Sequence, residues 1–457
     1  MPIPRRYIAF IGLCLAFVAH TAPGETRTAA LEPGWHDDVS LQVGDRTRYF
    51  RYFVPSSLLD SEPPVVLFFH GGTQSMRSTM PPNSSGSAAW PFVAEEKGFL
   101  LLVPNGVGED GDAFGDDQRW NDCRSDGPQT TDADDVAFVE ALLDWSSDTL
   151  GHDPEAVFAT GASNGGMMTY RLAQERPDLI TAGAGFIANL AANSACEAQD
   201  EPVPMMVVNG TEDPWMPYDG GQVVGGGGEV VSTDETVAYW LQVNGLEPSP
   251  EIESLPELEP DEPTRVQLER YSDDQSVDRV RFYRMIDAGH AMPTLSRPIS
   301  AQAESLVGPQ NRDIEGAREA WAFFRQFYLT DADLGHALSG NWFDPSRNGE
   351  GFNLVAGEEG AVLFYYGADP DGERLWLISD LLTDPLTLGE EYEVTVYRTS
   401  GGRFGQPLPP SESRVNWGEA TLRFEDCTHG EIGLQGEQGE ELDSEVTRLL
   451  AVSNHPC

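Results

Sequence analysis

The chain has 457 residues, of which 40% are hydrophobic, enough for one large domain and a smaller one. Its formal charge of −47 repels nucleic acid and anionic membrane surfaces, so no nucleic-acid partner is expected. The same charge suits a surface adapted to salt, where it is screened.

In chain order, Arg5 and Arg6 precede an apolar run from Tyr7 to Ala19 that is too short to span a bilayer as a mature helix. Residues 1–24 read as a secretory signal peptide, cleaved between Ala19 and Glu25, and predict a secreted (extracellular or periplasmic) protein. No later segment reaches about 18 uninterrupted apolar residues, so no membrane span is expected. Export also governs the cysteines. Cys14 falls in the leader, leaving Cys123, Cys196, Cys427 and Cys457, an even set in an oxidising compartment. The two pairs fall on opposite sides of an expected domain boundary, which favours Cys123 with Cys196 and Cys427 with Cys457. Zinc is the competing reading, and no C-x-x-C or nearby His pair supports it.

From about residue 36 to 330, strand-like and helix-like segments alternate. "VVLFFH" (65–70), "FLLLV" (99–103), "AVFAT" (156–160) and "PMMVVN" (204–209) are short apolar runs, as expected of parallel strands covered on both faces. "DADDVAFVEALLDW" sets Val136, Val139, Leu142 and Leu143 in one helical stripe behind acidic residues that suit a helix N-terminus. In "STDETVAYWLQVNG", Ser232 with Glu235 predicts a capping box and Gly245 a stop. A helix over "IEGAREAWAFFRQFYL" ends this half. The alternation predicts an α/β fold with a mostly parallel sheet over residues 25–335.

After residue 335 the texture changes. "LFYYGADPDGERLWLISD" reads as two strands around a Pro-Asp-Gly turn, and "EYEVTVYRT", "EATLRFEDC" and "EVTRLLAV" add alternating segments without a helix. Residues 336–457 are expected to form a smaller all-β accessory domain. Its opening "GNWFDPSRNGEGFNL" resembles a β-rich module appended to secreted bacterial proteins. Trp342, Trp376, Tyr365, Tyr366 and Trp417 either present an aromatic surface to polymer or carbohydrate or fill a small core, and the core reading carries more weight.

The chemistry centres on "VFATGASNGGMMTYRL", a strand, then G-x-S-x-G, then a helix. Gly161 and Gly165 allow the sharp turn that presents Ser163 as a nucleophile; the bland alternative is a serine in a glycine turn. A serine needs a base, and His290 in "DAGHAMPT" follows an alternating strand on a Gly-containing loop. Histidines 36, 152, 336 and 455 lie in polar loops or outside the domain. The acid is expected between nucleophile and base at a strand end, where Asp213 stands; Asp287 is the rival. For the oxyanion, "HGGT" offers Gly72 and Thr73, and Asn164 offers the amide after the nucleophile. Trp120, Asn121 and Trp215 are candidate substrate-binding residues. The acidic "GEDGDAFGDD" (108–117) lacks the EF-hand spacing, and no metal or cofactor is implied.

The ordered set "HGG", "RWNDC", "DDVAFVEALL", "ATGASNGGMMTYRLA", "NGTEDPWMPYDGG", "ETVAYWLQVNG" and "AGH" resembles the secreted polyhydroxybutyrate depolymerase and feruloyl esterase family of α/β-hydrolases over residues 36 to 330. The resemblance implies Ser163 as nucleophile, Asp213 as acid, His290 as base and a Cys123 to Cys196 disulfide. Two departures stand out: relatives often carry a tryptophan soon after the histidine, where this chain has "HAMPT", and a histidine where it has Asn209. The expected activity is a serine esterase on polyhydroxyalkanoate-type polyester or its oligomers. Feruloyl or acetyl esters of plant polysaccharide are the alternative, and a binding protein with a relict triad is a third reading.

Overall fold

The computed structural model describes residues 31–449 other than 59–61, 81–85, 128–132, 200, 226, 259–261, 275–276, 329–337, 348, 358–359, 384–385, 400–413 and 426–427. The expected signal peptide, the expected boundary at 335/336, His336, His455, Cys427 and Cys457 lie outside the described residues. Of two compact units, Met1–Glu32 and Pro33–Cys457, the second holds every element named below.

A hairpin of β1 (Gly34–Val43) and β2 (Arg46–Val54) comes first. Then follow β3 (Val65–Phe69), α1 (Trp90–Lys97), β4 (Leu100–Pro104), α2 (Asp135–Leu150), β5 (Val157–Ala162), α3 (Asn164–Glu175), β6 (Ala182–Phe186) and β7 (Met205–Gly210). A short hairpin, β8 (Gly221–Gln222) with β9 (Glu229–Val230), precedes α4 (Thr233–Val243). β10 (Glu251–Ser254), β11 (Arg265–Ser272), β12 (Asp278–Ile286), α5 (Ala301–Val307) and α6 (Gly316–Phe324) complete this half.

The resulting ten-stranded sheet has the order β1-β2-β4-β3-β5-β6-β7-β12-β11-β10. Its centre, from β4 to β12, is parallel, and both edges are antiparallel. This is the α/β-hydrolase arrangement. The parallel centre is buried on both faces, which is why its strands read as unbroken apolar runs. One face packs Val66, Phe68, Leu101 and Phe158 against α1 and α6, with Trp321 stacked on Phe99 and Phe324 on Phe158. On the other face, Arg48 and Phe50 of β2 meet α2, and α3 packs over β5 and β6.

The helix signals act locally as expected. Asp134 caps α2 by accepting from the Ala137 amide, and Ser232 with Glu235 forms both bonds of a capping box on α4. β6, like β1, β2, β10 and β11, is a strand that sequence patterning did not single out. Its "AGAGF" carries little β propensity, yet the space beside it admits nothing larger: a Cβ at Gly185 would lie 2.4 Å from the Tyr170 ring, and one at Gly183 2.7 Å from Met205. Here tertiary packing against α3 and β7 overrides propensity.

Eight further strands close a second, antiparallel sheet into a barrel. They are β13 (Gly340–Phe343), β14 (Gly351–Gly357), β15 (Gly360–Ala368), β16 (Arg374–Ser379), β17 (Glu391–Thr399), β18 (Arg414–Phe424), β19 (His429–Gly436) and β20 (Glu441–Arg448), with β13 pairing β20 to seal it. Trp342, Phe352, Leu377, Leu422 and Ile432 fill its interior. The aromatic candidates divide: Trp342 and Tyr365 are buried in the core, Trp417 packs partly against it, and Trp376 is 59% exposed beside its cross-strand partner Tyr366.

The close approach of α3 to the sheet is testable. A Cβ at Gly161 would lie 2.4 Å from the Gly165 carbonyl and 2.7 Å from the Phe69 carbonyl, both rigid backbone atoms. Gly161→Ala is expected to lower stability by about 2 kcal/mol or more, read as a fall in the urea midpoint, whereas Gly44→Asn, at a turn with open space whose φ of 58° asparagine tolerates, should move it far less.

Candidate active site

The groups with chemical potential sit where parallel strands end, at the carboxyl edge of the sheet. β3 leads into His70-Gly71-Gly72-Thr73, β5 into Ser163, β7 into the loop with Asp213 and β12 into the loop with His290. Ser163 has φ 56° and ψ −122°, a strained conformation for a residue with a Cβ. It persists because α3 is pressed onto the sheet: a Cβ at Gly165 would lie 2.1 Å from the Phe69 carbonyl. Among the described residues, the other non-glycine positions with positive φ include Thr73 and Ile187, which line the same cleft, and Cys123 beside it. Strain is concentrated around this cleft.

Asp213 and His290 meet directly. Nδ1 of His290 donates to Oδ2 of Asp213 at 2.6 Å, with both side chains almost fully buried. The other carboxylate oxygen accepts from the Trp215 and Met216 amides, each at 2.8 Å, so the acid is fixed in place. The histidine loop is seated by a glycine contact, since a Cβ at Gly289 would lie 2.1 Å from the Val307 carbonyl. Asp287 lies apart, half-exposed and 3.5 Å from Arg265. Asn209, where relatives often have histidine, is buried and ties β7 to the loop after β6 through Ala188 and Asn189 and to the start of α4 through Thr233.

Of the candidate oxyanion donors, the Thr73 amide is already given to the Gln118 carbonyl at 2.9 Å. That leaves Gly72 in this loop, whose amide has no acceptor among the described residues. Asn164 opens α3, and the first amides of a helix lack intrahelical acceptors.

Ser163, His290, Gly72 and Trp215 line both lobes of one cleft. The larger lobe, about 360 Å³, is walled by Ile187, Ala291, Met292, Ile299 and Val307. The smaller, about 130 Å³, is walled by Arg119, Asp122, Arg124, Val223 and Val224. Trp215 stands at the mouth, 43% exposed, its ring stacked on His290 at 5.6 Å and its indole N–H bonded to the Leu306 carbonyl. Trp120 lines the smaller lobe yet is 2% exposed, and it donates its indole N–H to the His70 carbonyl. Asn121 lines neither lobe; its amide bonds Asp135 and its carbonyl accepts from Arg171. A cleft of about 1000 Å³ on the barrel has an acidic lining, including Glu391, Glu431, Asp443 and Glu445, and no part of the Ser163 cluster.

Beneath the loops lies polar support that sequence patterning did not single out. Arg48 pairs with Asp135 at 2.7 Å, both buried, and reaches the Asn105 carbonyl. Asn105 in turn holds Met76, Ala113 and Gly115. In "GEDGDAFGDD", Asp110 and Asp112 cap the loop's own amides, and Glu109 and Asp117 flank Arg119. His70 is wholly buried, its Nε2 accepting from the Gly106 amide and its Nδ1 facing the Gly71 carbonyl, a pattern that fixes the neutral tautomer. Cys123 and Cys196 form a disulfide. No helix among the described residues is long and apolar enough to cross a membrane.

The chain matches no protein-family model. Over 292 residues it is 29% identical to "Putative esterase NocK" of Nocardia uniformis, covering 62% of this chain and 80% of that protein. It is 35% identical over 185 residues to "Probable feruloyl esterase C" of Aspergillus flavus, covering 39% of this chain and 59% of the relative. It is 28% identical over 197 residues to "Poly(3-hydroxybutyrate) depolymerase" of Ralstonia pickettii, covering 40% and 38%. By sequence the chain groups with carboxylic ester hydrolases, as its ordered motifs imply.

Burial of His70 pushes its pKa down to about 4 from an ordinary 6.5. The folded state therefore binds this proton less readily than the unfolded chain. The resulting stability is fully present above pH 6.5 and is lost as pH falls toward 4, a change of about 3 kcal/mol. Denaturant titrations between pH 7 and 4 should show a steeper loss in wild type than in His70→Gln; equal slopes would contradict the assignment.

Proposed function

We propose that the protein is a secreted serine ester hydrolase that cleaves polyhydroxyalkanoate-type polyester or its oligomers through an acyl-enzyme. The observation that carries this reading is the buried Asp213 to His290 bond beside a serine held on a strained elbow in the same cleft. Ser163 Oγ attacks the ester carbonyl, and His290 Nε2 takes the hydroxyl proton. Asp213 keeps the imidazole in the tautomer with Nδ1 protonated and stabilises its cationic form. The amides of Asn164 and Gly72 receive the oxyanion. His290 then returns the proton to the departing alcohol, and water, deprotonated by the same histidine, releases the acid.

A cleft with lobes on both sides of the serine suits a substrate that extends in both directions, as a chain of esters does. The aliphatic wall of the larger lobe suits a short branched acyl unit. A feruloyl ester is the second reading, favoured by the 35% identity to a protein named for that activity. Export agrees with a disulfide formed in an oxidising compartment.

Ser163→Ala is expected to lower kcat at least about 1,000-fold on every substrate that wild type hydrolyses. Assays on a short-chain nitrophenyl ester, a hydroxybutyrate oligomer and methyl ferulate should rank the oligomer above the ferulate. Activity in the variant equal to wild type would remove Ser163 as nucleophile, and the reverse ranking would select the feruloyl reading.

The exposed Trp376, beside the half-buried Tyr366, is the part of the barrel best suited to touch a polymer. Trp376→Ala should leave kcat/KM on the soluble ester unchanged while slowing hydrolysis of a polymer film about threefold or more. An unchanged rate on the film would exclude this contact.

A further inference from the structure

We infer that Asp122 is a positioning residue for the oxyanion site, acting through the side chain of Asn164; the inference rests on the ester-hydrolase reading above. Asp122 is 3% exposed and follows Trp120 and Asn121 on the loop that walls the smaller lobe. Its Oδ2 accepts from Nδ2 of Asn164 at 2.5 Å. The same Asn164 amide group donates to the Trp120 carbonyl at 3.1 Å, and its Oδ1 accepts from the Trp120 amide at 2.8 Å. The Asn164 carboxamide is thus committed to one loop. Since its Cα belongs to the first residue of α3, fixing the side chain fixes the peptide that presents the Asn164 amide to the cleft.

The loop is itself anchored. Cys123, the next residue, is bonded to Cys196; the Ala195 amide donates to the Cys123 carbonyl at 2.7 Å, and the Ser125 amide to the Asn193 carbonyl at 3.0 Å. Asp122 therefore links a covalently tied loop to the amide expected to meet the oxyanion. A bare carboxylate there would oppose the negative charge developing on the substrate. Arg124 answers that problem, donating Nη2 to Oδ2 at 2.5 Å and Nε to Oδ1 at 3.0 Å. The carboxylate serves as a strong acceptor for Asn164, while the guanidinium cancels its field.

The test separates the acceptor from the charge. Asp122→Asn with Arg124→Ala keeps an acceptor for Asn164, and Asp122→Ala with Arg124→Ala does not; neither carries a charge at these positions. The Ala double variant is expected to show kcat at least about tenfold below the Asn double variant, with KM within about twofold and an equal thermal midpoint. Its Ser163 should also be labelled more slowly, in the same proportion, by a phosphonate inhibitor whose bound form mimics the oxyanion. If the Ala double variant does not fold, Asp122→Ser with Arg124→Ala, polar but too short to reach Asn164, replaces it in the comparison. Equal kcat in the pair, or a difference confined to KM, would overturn the inference while leaving the ester-hydrolase reading intact. Wild type inactive on every ester would overturn both.

Discussion

The structure turns on how closely one helix approaches one sheet. Phe69 and Gly161 lie on neighbouring parallel strands, and α3 begins so near them that only hydrogen fits at positions 161 and 165. That contact forces the chain through a sharp reversal between β5 and α3, and Ser163 takes the strained conformation at its apex. Burial of the strand and helix on either side supplies the free energy that holds the strain. The same closeness places the start of α3, with its unsatisfied amides, beside the serine. A candidate nucleophile and an electropositive corner therefore arise from one steric fact.

Around that corner the loops are long and polar, and buried hydrogen bonds hold them in place. The Arg48 to Asp135 pair, Asn105, His70 and Asp122 each join segments far apart in sequence. These cross-segment bonds hold loops that contain strained residues at Thr73 and Cys123. It also gives the two lobes different characters: the larger is closed by side chains from the histidine loop and α5, and the smaller by the disulfide-anchored loop and the β8-β9 hairpin.

The barrel follows a different rule. Closing eight antiparallel strands buries one side chain in two, so its sequence alternates, and the inward set alone fills the interior. Its aromatic residues were ambiguous in sequence because alternation tells which residues share a face, not which face is inside. Pairing settled that: Trp342 and Tyr365 turn inward, and Trp376 outward.

Much about this protein was fixed by local chemistry. Unbroken apolar runs marked the parallel strands, Ser232 with Glu235 specified a cap, and the glycines around Ser163 announced the turn, because each of these rules involves residues within a few positions of one another. Chain order also separated Asp213 from Asp287 as the candidate acid. What only the tertiary structure decided were relations between distant segments. The glycine-rich strand β6 exists because it pairs with β5 and β7, and Tyr170 and Met205 crowd the positions of its two glycines. Thr73 spends its amide on Gln118, Trp120 lines the smaller lobe while its indole N–H ties down the His70 carbonyl, and Asn121 lines neither lobe. Asp122, unremarkable within "RWNDC", becomes a link to the nucleophile helix only when positions 122 and 164 are brought within hydrogen-bonding distance. Sequence reports the preferences of each segment for its own conformation; partners across the fold are chosen by packing, which no local pattern encodes.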